Sequence, residues 1–498
     1  MGIEQLDVLI VGGGLSGIGA GVHLKQHCPG HSFAILEGRA AIGGTWDLFR
    51  YPGIRSDSDM YTLGYAFKPW TRAKAIADGP AILSYIEETA REHDLERHVR
   101  LQHRVVRSSW SGANARWLVD VEVGPERTLR QISARFLYLC TGYYRYEQGH
   151  APAFPGAADF QGRIVHPQHW PQDLDHRGQR MVVIGSGATA VTLVPSLAEQ
   201  AAQVTMLQRS PTYVLARPGS DRLANWMNET LPLKLAYGIT RWKNVLMQML
   251  FYKLSRQRPE MMKRYILKGV ARALGPRKDL LRHFEPSYKP WDQRVCLVPD
   301  ADLFKALRSG KAEVVTDHIE RFTATGIQLK SGAHLEADVI VTATGLDLLA
   351  FGGMDIVVDG KVVKPRRTFS YKGMMLSGVP NLAYAFGYTN ASWTLKADLT
   401  SELVCKVLNH MQKTGQPVAT PVAPADLKPE ALLDFTSGYV LRSLNRFPNQ
   451  GNRLPWKMHQ NYLLDVLAFK GHNVDDGTLV FSQPVAAGTD QAGLKRAA

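Results

Sequence analysis

Twice in this chain a short apolar run leads into a glycine turn that opens a helix-like segment. That repeat constrains the fold more than any other feature. Gly12-x-Gly14-x-x-Gly17 follows the run 7–11, and Gly185-x-Gly187-x-x-Ala190 follows the run 181–184. Strand–turn–helix units of this kind build parallel sheets, so an α/β chain with two Rossmann-like domains is predicted. The first glycine makes the bend, and the second lets a pyrophosphate reach the backbone. The third position, glycine or alanine, lets helix and strand pack closely. The helix N-terminus then offers unpaired N–H groups to the phosphates.

The residue ending the next strand separates the two turns. The run 32–36 ends at Glu37, twenty residues after Gly17, where an acid accepts hydrogen bonds from ribose hydroxyls. The run 204–208 ends instead at Arg209, which would pair with a 2′-phosphate that an acid would repel. The expectation is a flavoprotein with FAD in the first site and NADPH in the second. Disulfide reductases share this plan but need paired cysteines. Cys28, Cys140, Cys296 and Cys405 form no C-x-x-C motif, which argues against that class and against a zinc ribbon, and no metal site is expected.

The 498 residues, 45% apolar and 21% charged, suit two or three globular domains. The predicted division is an FAD domain in two parts, 1–142 and 351–498, with a linker at 143–159. The NADPH domain is inserted as 160–217 and 293–350, and it carries a helical insertion at 218–292. Within the insertion, residues 233–282 hold thirteen Lys or Arg and only two acids, with apolar residues at helical spacing. The net charge of +14 admits anionic partners without naming one. Glu4 and Asp7 before a short apolar run do not make a signal peptide, and no run approaches about 18 apolar residues. A cytoplasmic protein without a transmembrane span is expected. The Ala- and Gly-rich tail from Gln483 is expected to fray.

Two further stretches carry a resemblance. One is Gly43-Gly44-Thr45-Trp46, then Tyr51-Pro52-Gly53, then Asp57; the other is Phe160-x-Gly162-x-x-x-His166-x-x-x-Trp170-Pro171. With both glycine turns, the chain resembles the FAD-containing Baeyer–Villiger monooxygenases over nearly its whole length. The stretches 43–63, 167–171, 206–214, 291–299 and 387–398 are similar to a mycobacterial branch that also oxidises thioamides. The resemblance implies FAD, NADPH and O2, with ketones converted to esters by a C4a-peroxyflavin and sulfides or thioamides oxidised at sulfur. It aligns Arg294 with the active-site arginine and Asp57 with the acid that orients it. A fixed guanidinium suits this chemistry because it cannot lose its proton beside an anion. Many relatives carry Lys before that arginine. Gln293 stands here, which leaves NADPH preference mainly to Arg209.

The candidate residues of the first site are then Gly12, Gly14, Ser16, Gly17, Glu37, Gly44, Thr45, Trp46, Asp57, Val105 and Asn390. Those of the second are Gly185, Gly187, Thr189, Ala190 and Arg209. Asn390 lies in a loop entering a helix, where it would cap that helix while N–H groups face the flavin. His166 is read as a packing or hinge residue, not a base. Substrate choice is expected to lie with the helical insertion and the loop in the 370s. Two rivals stand beside this reading: a flavin S- or N-oxygenase without ketone chemistry, and a membrane- or nucleic-acid-binding flavoprotein without oxygenase activity. The substrate would be a small ketone or sulfide, and no nucleic-acid partner is expected because no recognition module accompanies the charge. Trp242, Met249 and Phe251 beside Lys243 and Lys253 resemble an interfacial helix, so peripheral membrane association through 233–282 is a further expectation.

Overall fold

The computed structural model describes residues 2–433, 437–471 and 473–485, so most of the expected frayed tail lies outside the described residues. The first sheet starts with β1 (Glu4–Val11), α1 (Leu15–His27) and β2 (Phe33–Leu36). It continues through α2 (Gly79–Glu92), β3 (Val99–Arg100), β4 (His103–Ser111), β5 (Arg116–Val123) and β6 (Thr128–Leu139). Strands β3, β2, β1 and β6 run parallel in that order, with Val8 opposite Phe33 and Leu9 opposite Leu137. Val8, Leu9 and Ile10 have no exposed surface, as befits a strand covered on both faces. β5 is different. Trp117, Val119 and Val121 are buried and alternate with partly exposed neighbours, the pattern of a sheet covered on one face.

The second sheet holds β7 (Arg163–Val165), β8 (Arg180–Ile184), α3 (Ala188–Leu197) and β9 (Gln203–Gln208). Next come β10 (Val214–Arg217), α4 (Arg222–Thr230), α5 (Leu233–Gln257) and α6 (Pro259–Leu274). β11 (Cys296–Pro299) then pairs in parallel with β10, so the three helices leave and rejoin the domain at one place. Pro259, at the first position of α6, separates it from α5. After α7 (Asp302–Arg308) and β12 (Ala312–Thr316), a three-stranded antiparallel excursion leads to β13 (Val339–Thr342). The parallel order is β12, β9, β8, β13, β7. The chain then returns to the first sheet. β14 (Asp355–Val358) pairs with β4, β15 (Leu382–Tyr384) pairs with the end of β6, and α8 (Trp393–Thr414) packs on α1.

The first glycine of each turn is sterically obligatory. A Cβ on Gly12, whose φ is +109°, would sit 2.4 Å from the Cys140 carbonyl oxygen. A Cβ on Gly185, at φ +139°, would sit 2.3 Å from that of Ala343. The two segments joining the sheets run side by side. Arg145 N–H donates to Asp347 (2.9 Å), His150 N–H to Gly345 (3.1 Å) and Leu349 N–H to Tyr143 (3.0 Å). His166 belongs to this joint: a Cβ on Gly149 would meet its ring at 2.1 Å, and burial lowers its pKa.

Candidate active site

A cleft of about 1410 Å³ lies between the two sheets and the helices α4 to α6. Gly12, Gly14, Ser16, Glu37, Gly44, Thr45, Trp46, Asp57, Val105, Thr189, Arg294 and Asn390 all line it. Gly17, Gly185, Gly187, Ala190 and Arg209 do not. Gly17 serves the turn itself, since a Cβ there would lie 1.8 Å from the Gly12 carbonyl oxygen. Ala190 is fully buried beneath its turn. Gly187 faces open space, with nothing within 4 Å of where a Cβ would stand. Arg209 is exposed at the end of β9 and has no ion pair among the described residues. Its charge is felt by Arg442, whose guanidinium is lowered by burial and by Arg209 against the pull of Asp347.

At the first turn backbone meets backbone. A Cβ on Gly44, whose φ is +57°, would be 3.1 Å from the Gly14 Cα, so the turn and the start of the 43–46 loop approach closely because both positions are glycine. Glu37 accepts from the N–H of Gly13 (2.8 Å) and of Arg39 (2.9 Å). Burial nevertheless raises its pKa. Asp47 receives Arg39 (2.5 Å) and Arg50 (2.7 Å), which lock the short helical turn Thr45–Leu48. The Ser16 hydroxyl accepts from the Trp393 indole at 2.7 Å. Val105 lies at a register shift of β4 against β5, where an extra residue re-aims the strand toward the cleft.

Asp57 and Arg294 come from segments 237 residues apart and meet at 3.2 Å. Both side chains are partly open to the cleft. Burial works against the Arg294 charge, but Tyr143, Tyr439, Asp57 and Tyr144 outweigh it and hold its pKa above the usual value. The Arg294 Nε is buried with no hydrogen-bond partner, as are the Trp291 indole N–H and Asn390 Oδ1. Such orphaned groups in a cleft larger than the usual 300–1,000 Å³ of a single-ligand pocket fit a site built for bound cofactors.

Two expectations are corrected and a third is narrowed. Ser392, not Asn390, is the N-cap of α8. Asn390 donates its amide to the Gln460 carbonyl at 2.9 Å. Residues of the 370s contribute nothing to the cleft walls; Tyr371, Met374, Met375 and Leu376 are core. Of the expected interfacial residues, Met249 and Phe251 are partly buried against core clusters, and Lys243 is paired with Asp221 at 2.5 Å. The sequence reading missed Trp393, stacked on Tyr143 with centroids 5.1 Å apart, although the Tyr143-Tyr144 pair inside a linker was an available signal. The helical insertion lines the cleft as expected, through Met247, Leu250, Met261 and Tyr265 at its mouth, residues that the sequence did not single out for this.

This arrangement defines a class. The family model "Flavin-binding monooxygenase-like" matches residues 76–375, and an NAD(P)-binding Rossmann-like model matches 10–76. The chain belongs to the flavin-binding monooxygenase-like family. It is 53% identical over 482 residues to the FAD-containing monooxygenase EthA of Mycobacterium tuberculosis (strain ATCC 25618 / H37Rv), covering 96% of this chain and 98% of that protein. EthA of Mycolicibacterium smegmatis is 52% identical over 97% of this chain and 98% of that protein. In fold it is similar to an oxidised steroid monooxygenase bound to NADP, with TM-score 0.77 and 22% identity over 96% of this chain and all of that one. No helix among the described residues is long and apolar enough to cross a membrane.

Proposed function

We propose that this protein is an FAD-containing, NADPH-dependent Baeyer–Villiger monooxygenase that also oxidises sulfides or thioamides. The balance is ketone + O2 + NADPH + H+ giving ester + NADP+ + water. Bound FAD supplies the redox and oxygen chemistry. The observation that carries the reading is the Asp57–Arg294 pair in the cleft, with the Arg294 Nε buried and unpartnered. A guanidinium held charged stabilises negative charge developing on substrate oxygen, and Asp57 fixes where it points. Gly12, Gly14 and Gly44 bring backbone N–H groups to the FAD pyrophosphate, and Glu37 serves its ribose side. Ser16, Thr45, Trp46, Val105 and Asn390 complete the FAD walls. Gly185, Gly187, Thr189 and Ala190 form the NADPH turn. Arg209 takes the 2′-phosphate, and with Gln293 standing before Arg294 it carries the NADPH preference.

We propose also that the protein works in the cytoplasm and attaches peripherally to an anionic membrane through residues 233–282. Support comes from Lys234, Lys253, Arg258, Arg264 and Lys268, which are exposed and have no ion pair among the described residues. The oxygenase reading is tested by a panel of ketones and sulfides under 18O2. One labelled oxygen in an ester, with NADPH consumed in step, is the expected result. Labelled sulfoxide with no ester from any ketone would move the protein to the S-oxygenases. Unlabelled products would end the oxygenase reading.

A further inference from the structure

The outward face of α5 carries no charge between Lys234 and Lys253. Leu235, Ile239, Trp242, Leu246 and Leu250 recur at spacings of four, three, four and four, so they form one stripe. All five are exposed, Leu246 at 52% and Leu250 at 57%. The two cations inside that span are engaged within the protein. Arg241 is buried against the carbonyls of Tyr61 and Gly64, and Lys243 pairs with Asp221. Leu223 and Trp226 of α4 are exposed as well. A second helix adds to the face: α9 (Tyr462–Lys470) meets Trp242 through Tyr462, centroids 5.6 Å apart, and exposes Leu463, Leu464 and Leu467. Exposed apolar side chains gathered on one face in this way mark an interaction surface.

The same face borders the cleft. Leu223, Met247, Leu250, Met261 and Tyr265 are both exposed to solvent and part of the cleft lining that leads to Arg294. We infer that α4, α5 and α9 seat on an anionic bilayer, and that the cleft opens through this face so that an apolar ketone passes from lipid to the active site. This rests on the function proposed above. Charge selects the occupant. The stripe is bounded by Lys234 and Lys253, and Arg258, Arg264 and Lys268 stand exposed on the next turns, against Glu229 and Glu260 as acids. Anionic headgroups match that rim, while the hydrocarbon matches the stripe. A second copy of the chain would set cations against cations in a two-fold contact and would close the cleft mouth.

The test uses the FAD-loaded full chain, sedimented with phosphatidylglycerol–phosphatidylcholine vesicles and with phosphatidylcholine alone at low and high salt. Wild type should pellet with the anionic vesicles and release at high salt. Leu235→Glu/Leu246→Glu, at two positions outside the cleft walls, should weaken vesicle partition at least about tenfold. The variant should turn over a water-soluble ketone at the wild-type rate, which also shows that it folds. Its KM for a long-chain ketone presented in vesicles should rise by a similar factor. Wild type that stays in the supernatant, or a variant that binds as tightly, overturns the docking face. A wild-type dimer that the variant dissolves would assign the face to a second copy. Equal KM values in the two proteins for the vesicle ketone overturn the access route. If vesicle-bound wild type oxidises neither ketone, the oxygenase reading and the access route fall together, while the sedimentation data still decide the docking face.

Discussion

Arg209 and Asp47 mark two ways in which single charges matter here. Arg209 is exposed and unpaired among the described residues, so it contributes little to folding and is free for a ligand. Arg209→Glu should weaken NADPH by about 1.5–3 kcal/mol while changing NADH far less, since only NADPH carries the 2′-phosphate. Equal losses in kcat/KM for both cofactors would show that another residue selects. Asp47 is buried and structural. Burial opposes its charge, but hydrogen bonds from Arg39 and Arg50 outweigh it and lower its pKa beneath the ordinary 3.8. Its stabilising effect is therefore complete above pH 3.8 and is lost as pH falls through the lower folded value. Asp47→Asn should cost about 1–2 kcal/mol at neutral pH by denaturant unfolding, and the gap to wild type should close in acid. A constant gap at all pH values would contradict this. The glycine turns, and Glu37 and Arg209 at the ends of the strands that follow them, were legible because their spacing is local. The Ser16–Trp393 bond, 377 residues apart, was not, because no pattern in either segment names the other.

At the scale of elements, helix period and glycine position predicted the two strand–turn–helix units and the helical insertion, because each is written in contiguous residues. The faces of those helices were harder. Periodicity says which residues share a side, but tertiary partners decide which side is covered. Lys243 lies beside the α5 stripe, yet Asp221 draws it in. Buried polar links between elements were also invisible. On α8, Lys396 pairs with Asp465 of α9 at 2.9 Å, and Asp465 also accepts from Tyr388 at 2.6 Å. Burial lowers the Lys396 pKa despite its partner. Lys396→Met should destabilise by about 3–5 kcal/mol, since it leaves a buried carboxylate without its cation. Lys396→Met/Asp465→Leu should recover part of that loss in thermal unfolding. A double variant no more stable than the single would mean that the pair is not energetically linked.

Across the whole molecule, the cleft exists because an inserted second sheet and its three helices fold back over the first. The sequence order of the segments announces the insertion. The volume and mouth of the cleft follow from how the parts lean together, which local pattern does not encode. The hydrogen-bonded connecting segments, with the Arg145–Asp347 and Arg446–Asp347 pairs beside them, fix that lean. They bring Asp57, from one sheet's loop, to Arg294, from the other's. On the proposed function Arg294 is the cation that oxygen insertion requires, and Arg294→Ala isolates that role. Stopped-flow reduction by NADPH should slow little and FAD content should be unchanged, because neither uses the guanidinium as its main contact. Ester formation from a ketone should fall roughly 100- to 1000-fold, the usual cost of removing one such electrostatic group. Ester made at close to the wild-type rate, with NADPH consumption still matched to product, would mean that oxygen insertion does not need this arginine.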